Sequence, residues 1–213
     1  MLRIRSMATE MDERGADQLS GLCIGVTGHR TLAEARTLER RVEQALRRLD
    51  RRFTAAGLPR PELTIMSSLA EGADRLVARV VLRRPGARLL AILPLPPEQY
   101  QADFATAASK RAFDRLLGRA EQALIAPAAP SRETAYAGAG RAMLAHCGVL
   151  IALWDGLPGR GLGGTAELVA EARARAMPLL WIRTDPPFAI HEERMSWIAP
   201  RMHHPQPKPA STA

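Results

Sequence analysis

Aromatic side chains make up only 4% of this 213-residue chain, so few residues could form a platform on which single-stranded nucleic acid stacks. Cysteine is almost absent. Cys23 and Cys147 lie far apart in sequence, show no metal-ligand spacing, and read as small buried apolar residues of a reducing cytoplasm. No apolar run approaches the roughly 20 residues that a membrane-crossing helix needs. The opening MLRIRSMATEMDERGADQLS lacks the apolar centre of a signal peptide and reads as a loose leader over residues 1–20. Lysine occurs only at Lys110 and Lys208, so the formal charge of +8 is carried by arginine. Between Gly21 and Asp185 there are 24 basic and 16 acidic residues, while the flanks cancel. Planar guanidinium forks suit phosphate, although a compositional habit of the source genome accounts for much of such an excess.

Against these absences stands a glycine-dense stretch, VLIALWDGLPGRGLGGTAELVAEARARA, from Val149 to Ala176. Its apolar start is expected of a parallel strand buried on both faces. A turn from Gly156 to Gly164 follows, then an amphipathic helix with Leu168, Val169, Ala172 and Ala176 on one face. A helix that begins behind Gly163, Gly164 and Thr165 presents unpaired backbone N–H groups and the positive end of its dipole, a natural phosphate cradle. Gly159, Gly161 and Gly164 also spell GxGxxG, with Asp185 about twenty residues on. The unit comes fifth in the chain, however, and WDGLP separates it from its strand, so the dinucleotide fingerprint is discounted.

Five further strand patterns alternate with helical ones: Leu22 to Gly28, Glu62 to Ser67, Arg88 to Leu93, Gln122 to Ala126 and Pro178 to Arg183. The helices are expected over Ala33 to Ala56, after SSLAEGAD, around Gln101 to Ala108 and Lys110 to Gly118, and over Glu133 to His146. Three prolines in PLPPEQY argue against regular structure there. This alternation predicts an α/β fold, a Rossmann-like doubly wound and mostly parallel sheet of about six strands with helices on both faces. It occupies residues 21–185, and residues 186–213 form a C-terminal extension, mostly a disordered tail.

In such sheets ligands bind outside the carboxyl ends of the strands. The turns expected there hold the candidate ligand-binding residues Gly28, His29, Arg30, Ser67, Gly72, Asp74, Tyr100, Trp154, Asp155, Gly163, Gly164 and Thr165. Arg30 could pair with a phosphate through two N–H groups. Asp74 could hold a ribose hydroxyl or cap its helix, and Gly72 allows close backbone approach. Tyr100 and Trp154 sit in turns where a base could stack. Asp155 could coordinate a metal or ribose, or simply form an Asp-Gly turn. Tyr136 and Arg141 do not share a helix face, so at most one reaches a ligand. No metal cluster and no Ser/His/Asp set can be assigned, and His203 and His204 fall in the tail.

The segments GVTGHR, SSLAEGADRLVA and GGTAELVAEAR, in this order and each after a strand, resemble the SLOG superfamily, which joins the DNA-processing protein A family to the Lonely-guy phosphoribohydrolases. The resemblance spans Leu22 to Arg183. It implies a Rossmann-like sheet whose glycine turns bind nucleotides, and in several branches a nucleotide-sensing module of bacterial defence systems. SSLAEGAD looks like the SGLARGID of the DNA-processing family, with Ser68 in place of a glycine. Lonely-guy enzymes carry an arginine-lysine pair and PGGxGTxxE. Here the pair falls on Ala139 and Gly140, one place before Arg141, and the glutamate position falls on Leu168. Glu167 lies one residue early, a rotation of about 100° on a helix. The expectation is a cytoplasmic nucleotide-binding protein, a sensor more than an enzyme, with no cofactor. The alternatives are hydrolysis of a nucleotide N-glycosidic bond, with Glu167 and Arg141 as catalytic candidates, and single-stranded nucleic-acid binding. Alanine-rich helix faces leave a homodimer open.

Overall fold

The computed structural model describes residues 3–6, 21–159 and 163–197. Its strands are β1 (Arg3–Ser6), β2 (Leu22–Gly28), β3 (Leu63–Ser67), β4 (Arg88–Leu93), β5 (Gln122–Ile125), β6 (Val149–Leu153), β7 (Leu179–Ile182) and β8 (Ile190–Glu193). Its helices are α1 (Ala35–Ala55), α2 (Ala73–Val81), α3 (Pro97–Gln101), α4 (Ala107–Leu117), α5 (Arg132–His146) and α6 (Thr165–Ala174). The strands form one sheet in the order β1-β5-β4-β3-β2-β6-β7-β8, parallel throughout except for β7 and β8. This is the expected Rossmann-like, doubly wound architecture, with eight strands where about six were expected.

Each strand alternates its side chains between two cores. On one face Leu38, Leu49 and Phe53 of α1, Val77 of α2 and Phe113 of α4 pack over Ile24, Ile65 and Leu89. On the other, Met143 and Leu144 of α5 and Leu168 and Val169 of α6 pack over Met66, Leu150 and Ala152. Every residue of β3 and β6 is buried, and β6 accordingly reads as an unbroken apolar run. Helix α5 has no marked apolar face and relies on small residues for close packing, with Leu168 lying directly across Gly140. Its start is set by a capping box in which Ser131 and Thr134 exchange side-chain and backbone bonds. No helix among the described residues is long and apolar enough to cross a membrane.

The two additional strands are edge strands. β1 lies within the segment expected as a loose leader and pairs in parallel with β5, Ile4 opposite Ala123. Ile4 remains 46% exposed, so backbone pairing rather than burial holds it, and a short strand carrying Arg5 suits an edge. β8 lies in the expected C-terminal extension. Its successive glutamates point to opposite faces. Glu192 binds Arg48 and Arg52 of α1 at 3.2 and 2.6 Å, and Glu193 binds Arg173 of α6 at 2.8 Å. In PLPPEQY the chain is helical from Pro97, because proline at the first helical position loses only an N–H with no partner inside the helix. The expected disordered tail beyond residue 197, with His203 and His204, and residues 7–20 of the leader lie outside the described residues.

Candidate functional site

From β2 the chain winds outward one way through β3, β4 and β5, then crosses to the other side through β6 and β7. The carboxyl ends of β2 and β6 therefore flank the topological switch point, where such sheets open a crevice. A cleft of about 650 Å³ lies there. The β2 turn contributes Gly28, His29 and Arg30, the segment after β3 contributes Ser68, Ala70 and Asp74, and Tyr100 closes the inner end. Opposite stand Arg132, Tyr136 and Gly140 of α5, with Gly163, Gly164, Thr165 and Leu168 at the start of α6.

Gly163 adopts φ +72°, and a Cβ there would meet the Ala137 backbone nitrogen at 2.7 Å, so only glycine lets the loop run this close to α5. The N-cap of α6 is Gly164, which has no side chain to cap it, and among the described residues no side chain accepts the N–H groups of its first turn, which leaves that turn open at the cleft. One expected donor is already occupied, however. Gly163 N–H donates to Glu167 Oε2 at 2.6 Å, while Glu167 Oε1 accepts from Arg141 Nη2 at 3.2 Å. Glu167 and Arg141 therefore close the glycine loop outside the cleft, and Leu168 faces the cavity instead.

Four other expected residues have local tasks. Trp154 is buried, donates from Nε1 to the Leu157 carbonyl at 3.0 Å and packs on Trp181. Asp155 accepts the Leu157 N–H at 3.0 Å and lies 3.2 Å from His29 Nε2. Burial would raise its pKa, yet the Leu157 N–H and His29 outweigh that and lower it. Ser67 is fully buried and donates from its hydroxyl to Asp74 Oδ2 at 3.2 Å. Gly72 does not line the cleft, and what approaches it closely is the His29–Arg30 backbone crossing over it.

Inside the cleft the charges are organised by burial. Asp74 has its pKa pushed up to about 6 by desolvation, against the pull of Ser67, the Ala70 and Ser68 backbone and Arg30. Arg30 lies over the Tyr136 ring, 5.1 Å from guanidinium carbon to ring centroid. Tyr136 donates its hydroxyl to Asp103 Oδ2 at 2.5 Å, and Arg132 donates to Asp103 Oδ1 at 2.6 Å. Burial, then that bond to Asp103, pushes the Tyr136 phenol up to about 12. Burial opposes the charge on Asp103, but Tyr136 and Arg132 outweigh it and hold the carboxyl below its ordinary range.

Arg132, Tyr136 and Gly140 recur every four residues along α5 and so share one face. That periodicity was the available signal for this wall. Asp103 carried none, because its partners lie about thirty residues away in sequence. Among the described residues, no group of three or more His, Cys, Asp or Glu side chains could hold a metal ion.

No protein-family model matches the chain, and no curated protein matches its sequence. The family resemblance thus rests on the three motifs, whose places are now defined. GVTGHR ends β2, SSLAEGAD joins β3 to α2, and GGTAELVAEAR opens α6.

Proposed function

We propose that this cleft binds a nucleotide or nucleotide derivative and that the protein is a sensor or binding module of SLOG type. The observation that carries the reading is the uncapped start of α6, which opens into a switch-point cleft that also holds Arg30 and Arg132. Backbone N–H groups, a helix dipole and guanidinium forks are the usual combination for a phosphate. Binding is favoured over N-glycosidic hydrolysis because the Glu167 carboxylate is engaged by Gly163 and Arg141. Thermal denaturation with nucleoside mono-, di- and triphosphates and dinucleotides tests the proposal. A ligand at a hundred times its Kd adds about 2.7 kcal/mol, an expected rise of roughly 5–10 °C for a chain of this size. Were no compound in such a panel to move the melting point, the reading would fail.

A second reading, a single-stranded nucleic-acid surface, is favoured by the outer face of α1. Some arginines elsewhere are paired, as Arg83 is with Glu39 and Glu43 and Arg84 with Asp50. By contrast Arg36, Arg40, Arg47 and Arg51 fall within an arc of about 60° along roughly 22 Å of helix, and none has a carboxylate partner among the described residues. Four phosphate contacts give an expected slope of about −3 in log K against log salt for a single strand. The Arg47→Glu/Arg51→Glu variant is expected to halve that slope. Salt-independent binding would exclude this surface.

A further inference from the structure

Tyr100 is buried, yet its hydroxyl is unpaired. The ring is fully enclosed and meets Phe104, Phe113 and Tyr136 edge-on, with centroids 4.9, 5.6 and 5.7 Å away. Its hydroxyl has no hydrogen-bond partner among the described residues, although the residue forms part of the cleft wall. A buried phenol ordinarily finds a partner, because a buried donor without one loses its hydration uncompensated. Phenylalanine would fill the same aromatic cluster without that cost. The hydroxyl is therefore the feature of this wall that packing leaves unexplained.

Burial, and after it the proximity of Asp74, holds the Tyr100 phenol far above its ordinary ionisation range, so the O–H persists as a donor. Asp74 stands in the same wall as an acceptor, oriented by the Ser67 hydroxyl and the backbone of Ser68 and Ala70. A fixed donor and a fixed acceptor in one cleft wall suit a group that can both accept and donate. Phosphate oxygens accept well but are repelled by a carboxylate, and a stacked base edge-on to neither group would leave both unsatisfied. A sugar hydroxyl matches both.

We propose that Tyr100 and Asp74 form a sugar subsite in which the Tyr100 O–H donates to, and Asp74 accepts from, a ribose hydroxyl, so that the cleft selects ribonucleotides over deoxyribonucleotides. The proposal rests on the nucleotide reading of the cleft. The spacing of the fold agrees with it: Asp74 follows β3 and α6 follows β6, two strand separations or about 10 Å apart, which leaves room for phosphate at α6 and sugar at Asp74.

Calorimetric titration of the full chain with AMP, GMP and their 2′-deoxy and 3′-deoxy forms, repeated on Tyr100→Phe, tests this subsite. Wild type is expected to prefer a ribonucleotide over one of its deoxy forms by about tenfold, the scale of one hydrogen bond. Tyr100→Phe is expected to lose that preference while the ligand-free protein melts no lower than wild type. Equal binding of ribo and deoxy forms by wild type, or undiminished ribonucleotide affinity in Tyr100→Phe, overturns the sugar subsite and leaves the nucleotide reading standing. A ligand-free Tyr100→Phe that melts several degrees lower overturns it too, since the hydroxyl would then serve the fold. Failure of wild type to bind any of these nucleotides overturns the subsite, and the nucleotide reading falls with it where the wider thermal-denaturation panel is also silent.

Discussion

Between about pH 4 and about pH 6, the wild-type protein is expected to lose about 3 kcal/mol of stability relative to its Asp74→Asn variant. Asp74 is a buried residue whose pKa is lifted from 3.8 to about 6, chiefly by desolvation. The native state therefore binds its proton more tightly than the unfolded chain does. Where that is so, stability falls as pH rises, from the unfolded value through the folded one, and levels off above. Two pKa units at about 1.4 kcal/mol each set the size of the loss. Asparagine does not titrate, so subtracting its denaturation curve from that of the wild type isolates this one group. The measurement is chemical denaturation at a series of pH values, and parallel curves for the two proteins would refute it. Ser67→Ala is expected to move the upper end of the window to higher pH, because the Ser67 hydroxyl is one of the donors that restrain the shift.

A carboxylate buried at this cost in a cleft supports the proposed site, and it would link the stability of the fold to the chemistry proposed there. The same wall holds the unpaired Tyr100 hydroxyl. Asp74 and Tyr100 are thus two buried polar groups that line one cleft. Asp103, Arg132 and Tyr136, by contrast, satisfy one another. That cluster fixes the position of α5 against the α3 end, and with it the width of the cleft.

Much of this was legible in the sequence wherever burial alone determined structure. β6 occurs at the expected residues because a strand covered on both faces is apolar throughout, and β4 because only its first residue, Arg88, departs from that pattern. The stripe of α1 was readable for the same reason, since Leu38, Val42, Leu49 and Phe53 recur at helical spacing. What escaped depends on partners distant in the chain. β1 is held by pairing with a strand more than a hundred residues later, and β8 by arginines of two helices on opposite faces. In the site, eight of the expected residues line the cleft, among them Arg30, Asp74 and Thr165. Trp154 is drawn into the core by Trp181, a neighbour from β7 that no local pattern announces. The tasks of Glu167 and Gly72 became visible only with the loops that cross them.

Gly72→Ala is expected to destabilise the protein by on the order of 4 kcal/mol and to abolish ligand binding at the cleft. Gly72 is the N-cap of α2, at φ 76° and ψ −117°, a region closed to residues with a side chain. A Cβ would also come within 2.2 Å of the His29 carbonyl oxygen and 2.4 Å of that of Arg30. Both neighbours are main-chain atoms that cannot swing aside as a flexible side chain could. The His29 carbonyl, moreover, accepts the Ala73 N–H at 3.0 Å, so the crossing is pinned from both sides. Relief of the overlap requires the β2 turn to lift away from α2, which displaces Arg30 and separates it from Asp74. Gly57→Ala provides the control, because Gly57 has a similar φ of +73° with nothing within 4 Å of an added Cβ. Backbone conformation alone is at stake there, at roughly 1 kcal/mol. Equal midpoint shifts for the two variants in denaturant would mean that the carbonyl crossing does not constrain the fold. A Gly72→Ala protein that binds ligand normally would mean that the β2 turn does not set the position of Arg30.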